Sequence, residues 1–390
     1  MVHSGGVERT LKVVEYAHRA DLHFTAFVSS DVIRDDEVQR RLRSLERSGH
    51  LALQELGTDL ASLPRFDAAV IPSEFWIPAL RRIRAEGIRA PVFIEFHQLP
   101  YIGTFDVLKA VGVDDPGTID LVRFPFVSSK FLGDGVPFFA FQIVACVASV
   151  RSLSRFRDAN VMAVTPVTAK NLASLGYRKR LFVPKVHVGI EPDATRASTD
   201  PEPLQYDGVY VGRFHPHKGF LDLPLIVAHM KRALGRDVNI AVCGSPQFPR
   251  HLELFERRVR ALGVEKNLTM LRWLSRHDLY ATIRRSKVLL YPSYVDAFSI
   301  TVLESLYLGV PVLAYGIDAL RLIWAARLGV YLSPVGNPAA LAQRYAELDR
   351  MDEFRSIRPG MTRQVESLRQ EFTWERAVEQ ERAFLDGAAS

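Results

Sequence analysis

The sequence predicts an α/β protein built from two Rossmann-like, doubly wound units that face each other across a cleft. Three observations predict it. The chain has 390 residues, about twice the usual length of a single domain. Short apolar runs rich in Val, Ile and Phe alternate with amphipathic stretches, the pattern of strand–helix–strand units in a parallel sheet. That alternation stops at a Pro-, Asp-, Ser- and Thr-rich segment, EPDATRASTDPEPLQ from Glu191, and then begins afresh. The expected units are residues 1–195 and 196–370, and residues 371–390 are expected to form a closing helix that packs back on the first unit.

In the first half the expected strands are LHFTAFVSS from Leu22, FDAAVIPS from Phe66, APVFIEFH from Ala90 and NVMAVTP from Asn160. They lack clean polar–apolar alternation, as strands buried on both faces do. Helices are expected between them at EVQRRLRSLERSG from Glu37 and PVTAKNLASLG from Pro166. A doubly wound unit ordinarily opens with a strand near the middle of its sheet. Only Met1, Val2 and His3 precede Ser4, Gly5 and Gly6 here, so that first strand is expected to be missing, or its place filled by another segment.

In the second half strands are expected in YDGVYVGRF from Tyr206, DVNIAVCGS from Asp237, NLTMLRWL from Asn267, KVLLYPS from Lys287 and VPVLAYG from Val310. Helix starts are marked between them. Ser275 with Asp278 three residues later makes a capping box, and Asn337 followed by Pro338 fits an N-cap and a first helical residue.

Composition narrows the function classes. No apolar run reaches the roughly 18 residues a spanning helix needs; the nearest, VPFFAFQIVACVASV from Val136, is short, carries Gln142, and fits a buried core helix. The start, MVHSGGVERT, has no charged leader before an apolar stretch, so no secretory signal is expected. Cys146 and Cys243 lie far apart in apolar surroundings and suit a reducing cytoplasm. The net charge of +6 is concentrated in part at Arg40, Arg41, Arg43 and Arg47, and at Arg81, Arg82, Arg84 and Arg89. These fit solvated helix faces, or a peripheral contact with an anionic membrane surface or anionic acceptor. No aromatic–basic reading module speaks for nucleic acid.

Two segments carry chemistry. In VGRFHPHKGF, Arg213 leaves a strand end and Lys218 follows across a short loop closed by Gly219. Two fixed cations at a strand-to-helix crossover suit a diphosphate, and Arg adds bidentate geometry. In YPSYVDAFSITVLESLYLGVPVLAY, from Tyr291, Asp296 and Glu304 are separated by seven residues. A helix beginning near Ser299 leaves Asp296 in the loop before it and Glu304 in its second turn. The N–H groups around Ser299, Ile300 and Thr301 then present partial positive charge to a phosphate, while Val302, Leu303 and Leu306 pack on the sheet. The carboxylates of Glu304 and Asp296 are placed to accept from ribose and sugar hydroxyls. The chain has no Asp-x-Asp for a metal-held diphosphate, no paired-His metal motif and no Gly-x-Gly-x-x-Gly fingerprint. No metal or other cofactor is expected.

These segments resemble the retaining glycosyltransferases of family 4, also called glycosyl transferases group 1, which have the two-domain GT-B fold. Gly212, Arg213, Lys218 and Gly219 resemble the family's Gly-Arg…Lys-Gly, Asp296 to Glu304 its two-carboxylate motif, and Gly309, Pro311 and Val312 its Gly-x-Pro-Val. SGGVER from Ser4 is similar to its glycine loop, with Gly5 and Gly6 approaching the donor phosphates. FIEFHQLP from Phe93 resembles its strand-end His segment, with His97 beside the donor sugar. VGIEP from Val188 resembles the linker turn, and FTWERAVEQ from Phe372 the closing helix.

The resemblance implies transfer of a hexosyl group from a nucleotide-diphosphate sugar to a glycan, lipid or small-molecule acceptor, with retention and without a dedicated base. Arg213, Lys218, Asp296 and His97 would be catalytic. Gly5, Gly6, Gly212, Arg213, Lys218, Asp296, Phe298, Ser299, Ile300, Thr301 and Glu304 would bind the donor. Asp296 stands where the family usually has Glu, which shortens its reach, and Ser299 where Gly is common. A sugar-nucleotide epimerase, turning over without an acceptor, and a non-catalytic nucleotide-sugar binder are the alternative readings. The FPFVSSKF and VPFFAF stretches, from Phe124 and Val136, could serve an acceptor groove or a core.

Overall fold

The structure, a computed structural model, describes residues 5–28, 36–55, 66–71, 80, 83–84, 90–96, 150–156, 159–190, 203–246 and 249–387. His97, Cys146, most of the Arg81–Arg89 cluster and the stretches from Phe124 and Val136 (bar Val150) lie outside them. In the first half the elements are α1 (Gly5–Tyr16), β1 (Phe24–Val28), α2 (Asp36–Arg47), β2 (Leu51–Glu55), β3 (Ala69–Ile71), β4 (Val92–Phe96), β5 (Ala159–Ala163) and α3 (Pro166–Ser174). All pairings are parallel, in two sheets ordered β1-β2 and β3-β4-β5. Among the described residues no strand joins β1 to β3, the place where the doubly wound order puts a first strand. β2 was not among the expected strands. LALQE carries Gln and Glu in a short run, too weak a signal beside the helix that precedes it.

The second half contains β6 (Gly208–Val211), α4 (Leu223–Leu234), β7 (Ile240–Cys243), α5 (Pro249–Leu262), β8 (Leu268–Arg272), α6 (Arg276–Arg284), β9 (Leu289–Tyr291), α7 (Ile300–Tyr307), β10 (Val312–Tyr315), β11 (Val330–Ser333), α8 (Pro338–Arg350), α9 (Thr362–Glu371) and α10 (Trp374–Asp386). Its six strands form one parallel sheet in the order β8-β7-β6-β9-β10-β11. Renumbered within the unit this is 3-2-1-4-5-6, the doubly wound Rossmann order. Central strands β7, β9 and β10 are buried throughout. β11 was not expected either: VYLS is four residues long and only half buried.

The helix starts follow the local sequence. Ser275 accepts from the Asp278 N–H and Asn337 from the Ala340 N–H, satisfying amides that a helix leaves orphaned at its start.

α10 closes the chain against the first half. Phe384 meets Phe93 edge to face at 5.0 Å and Phe182 at 5.3 Å. Arg19 pairs with Glu375 and Arg382 donates to the Ala20 carbonyl. Where the chain passes between the units, Ile190 N–H donates to Phe372 O at 3.0 Å. A Cβ on Gly189 would fall 2.3 Å from Trp374 N, so only glycine allows this approach.

Candidate functional site

In an open α/β sheet, ligands bind beyond the carboxyl ends of the strands, at the point where the strand order reverses. In the second unit that point lies between β6 and β9, which pair through Val209 and Leu289. The two motif segments leave these two strands. Gly212 and Arg213 follow β6, and the Asp296 loop and α7 follow β9.

Backbone contacts hold the two loops together. His217 O accepts from the Tyr294 N–H at 2.8 Å and from Ser293 Oγ at 3.1 Å. Gly219 adopts φ +70°, and a Cβ there would stand 1.9 Å from Pro292 O. A side chain would therefore push the cation loop off the acid loop. Beneath them, buried Asp222 accepts from Tyr294 OH at 2.5 Å and Tyr315 OH at 3.0 Å. On the other side a Cβ on Gly244 would sit 1.9 Å from Gly212 O, so the ends of β6 and β7 are equally close.

This stitching brings Lys218 Nζ to 2.5 Å from Asp296 Oδ2. Tyr291 OH donates to the same oxygen, and Asp296 Oδ1 accepts from the Ala297 N–H at 2.8 Å. Burial opposes ionisation of Asp296. The Lys218 charge and the hydrogen bonds from Lys218, Tyr291 and Phe298 N–H outweigh it and hold the carboxyl below its ordinary range. Burial, then the charge of Asp296, push the Tyr291 phenol well upward, so it remains a donor.

α7 begins at Ile300 with Ser299 as N-cap. Ser299 is buried and left-handed, at φ 73° and ψ 67°. Glycine takes that conformation without strain and serine does not. Glu304 lies in the second turn, buried, with Oε1 accepting from Tyr280 OH at 3.0 Å. Val302, Leu303 and Leu306 are fully buried beneath it. Phe298 is buried too, edge to face with His187 at 4.4 Å and Trp324 at 5.1 Å. Its carbonyl accepts from Trp324 Nε1 at 2.5 Å. The Phe298 ring thus packs the junction between the units, while its backbone bonds Asp296 and Trp324.

Two features were not readable beforehand. His215, in the cation loop, lies 4.4 Å from His217 and 4.9 Å from His251, ring to ring. Burial first, then the charges of His251, Arg213 and Lys218, push it down to about 3. A neutral imidazole therefore stands among the cations at ordinary pH. Tyr280, on α6, is the second; as a partner of Glu304 it gives no local signal in sequence. Gly5 and Gly6 stand in the first turn of α1, where N–H groups have no intrahelical partners, instead of in a loop ahead of the helix.

The structure thus brings Gly212, Lys218, Asp296, Phe298, Ser299, Ile300, Thr301 and Glu304 to one end of the sheet, with Arg213 at the tip of β6. The profile of the family described as "Glycosyl transferases group 1" matches residues 194–357, which contain all of them. The second unit is a glycosyl transferases group 1 domain.

D-inositol 3-phosphate glycosyltransferase of Corynebacterium efficiens is 30% identical to this chain over 171 residues. The match takes in 42% of the chain and 39% of that relative. The enzyme of the same name from Salinispora tropica is 30% identical over 170 residues, 36% of the chain and 34% of the relative. The chain thus matches about two fifths or less of the length of these curated relatives.

Solved structures extend the likeness across the whole chain. Anabaena HepE in complex with UDP and glucose superposes with a TM-score of 0.68 at 14% identity, covering 98% of this chain and 96% of that one. Sucrose-phosphate synthase of Thermosynechococcus elongatus gives 0.66 at 17% identity, covering 98% and 93%. At such identities the likeness is one of fold, and the fold is GT-B.

Proposed function

We propose that this chain is a glycosyltransferase that takes a hexosyl group from a nucleotide-diphosphate sugar and transfers it, with retention, to a glycan, lipid or small-molecule acceptor. The carrying observation is the joining of the β6 and β9 loops at the switch point, which sets Lys218 against Asp296 at the tip of α7. A donor diphosphate arriving there meets Arg213, Lys218 and the first N–H groups of α7, at Ile300 and Thr301. These charges stabilise the leaving diphosphate as the glycosidic bond breaks, and no metal is needed for that task. Lys218 exchanges part of its contact with Asp296 for phosphate oxygen, and Asp296 then turns to donor sugar hydroxyls. Glu304, fixed by Tyr280, accepts from the ribose with its remaining lone pairs.

The relatives' names and the UDP-bound neighbours support a nucleotide sugar as donor and a phosphorylated or otherwise anionic acceptor. The exposed Arg40, Arg43 and Arg47 of α2 fit such an acceptor or a peripheral contact with an anionic membrane surface. No helix among the described residues is long and apolar enough to cross a membrane.

A thermal-shift panel of nucleoside diphosphates and nucleotide sugars tests the reading. One ligand should raise the melting temperature of the parent and fail to do so in Arg213→Ala and Glu304→Ala, both folded. Equal shifts in parent and variants would remove the donor-site assignment. Binding without transfer to any acceptor would leave only a nucleotide-sugar binder.

A further inference from the structure

Ser299 stands at the tip of α7, where a serine ordinarily turns its hydroxyl onto the second or third amide of the helix. Here it makes no such bond. The side chain is buried instead, and its Oγ closes no hydrogen bond. A buried hydroxyl without a partner is costly, and the left-handed backbone, at φ 73°, strains a serine. Neither cost would fall on a glycine. Unfavourable features of this kind persist where a site needs them.

The side chains facing the Tyr291 hydroxyl, at the end of β9, are Asp296, Ser299 and Ser293. Asp296 Oδ2 accepts from the phenol. Ser293 Oγ is tied into the seam between the two loops by its bonds to His217 O and Val295 O. Ser299 Oγ is the uncommitted one. Asp296, by contrast, is full. Its Oδ2 accepts from Lys218 and Tyr291, and its Oδ1 from the N–H groups of Ala297 and Phe298. A carboxylate offers about four such positions, so it can accept from a sugar hydroxyl only where a present donor withdraws. The phenol can withdraw without being stranded, because Ser299 Oγ lies beside it.

We propose, on the donor reading above, that Ser299 is a positioning residue: as Asp296 turns to a sugar hydroxyl, the Tyr291 phenol passes its hydrogen bond from Asp296 Oδ2 to Ser299 Oγ. The buried phenol stays satisfied while the carboxylate is given over to the donor. The exchange concerns the sugar. A bare nucleoside diphosphate calls on Lys218 and the α7 amides and leaves Tyr291 with Asp296. Serine therefore occupies a left-handed position as a reserve acceptor, idle until a donor sugar arrives.

Titration of UDP, ADP and GDP, and of their glucose conjugates, into the full chain tests it. For the pair that the parent binds, Ser299→Ala and Ser299→Gly should each weaken the nucleotide sugar about 10- to 100-fold more than the nucleoside diphosphate, as stranding a buried hydroxyl does. Ser299→Ala keeps the left-handed strain and Ser299→Gly relieves it, so a loss common to both belongs to the hydroxyl. In a Tyr291→Phe background neither substitution should widen the gap between the two ligands, since no phenol is left to satisfy. An unchanged sugar affinity, equal losses for sugar and diphosphate, or a gap that still widens beside Tyr291→Phe would overturn the exchange and leave the donor site standing. A parent that binds neither member of any pair would remove the donor reading and the exchange with it.

Discussion

Lys218 and Asp296 meet at the carboxyl ends of β6 and β9 with side chains 24% and 19% exposed. Arg9, Glu95 and Glu381 meet under α10 with almost no exposure. Both clusters pair a cation with carboxylate, and their surroundings set what each can do. The first pairs one cation with one carboxylate and keeps partial solvent access, as the proposed exchange with a donor phosphate requires. The second is sealed from solvent, and Arg9 holds both of its carboxylates at hydrogen-bonding distance. A charged cluster that works as a site is one whose partners can be exchanged; one that works as a fastening has partners that cannot.

The comparison breaks most sharply at Arg9. Arg9→Met removes the cation that Glu95 and Glu381 share and should destabilise the chain by about 3–5 kcal/mol at neutral pH, read by urea unfolding. Arg213→Ala and Lys218→Ala should do the reverse, sparing stability and lowering the transfer rate by about 10²–10³, read in a turnover assay. Gly219→Ala drives a Cβ into Pro292 O and strains a left-handed position. It should destabilise by about 1–3 kcal/mol and weaken donor binding with it, because both loops shift. The smallest effect sharpens the comparison. Ser299→Gly relieves the left-handed serine and should raise stability by about 0.5–1 kcal/mol in thermal unfolding. A fall instead would mean that the serine side chain holds the turn.

Much of the second unit was legible in the sequence, because local patterns settle it. Strand runs such as KVLLYPS are apolar on both faces, and Ser275 and Asn337 announce the helices that follow them. The two motif segments are legible for the same reason, each being a loop and its flanking element in one stretch of chain. What resisted reading was long-range. Arg9 finds Glu95 and Glu381 across 86 and 372 positions of sequence, and nothing in the spacing of GGVERT points to either. Tyr280 reaches Glu304 from another helix. β2 and β11 are short and partly polar, and neighbouring strands decide them, not their own residues. Phe298 lies within the motif, and its packing on His187 and Trp324 is long-range as well.

The seam at Gly219 and Pro292 has a consequence for motion. His217 O is bonded to residues 293 and 294, and no atom fits between Gly219 and the Pro292 carbonyl. The lysine-bearing turn therefore cannot swing toward a newcomer while its neighbour stays behind. The two stitched turns travel as a single block.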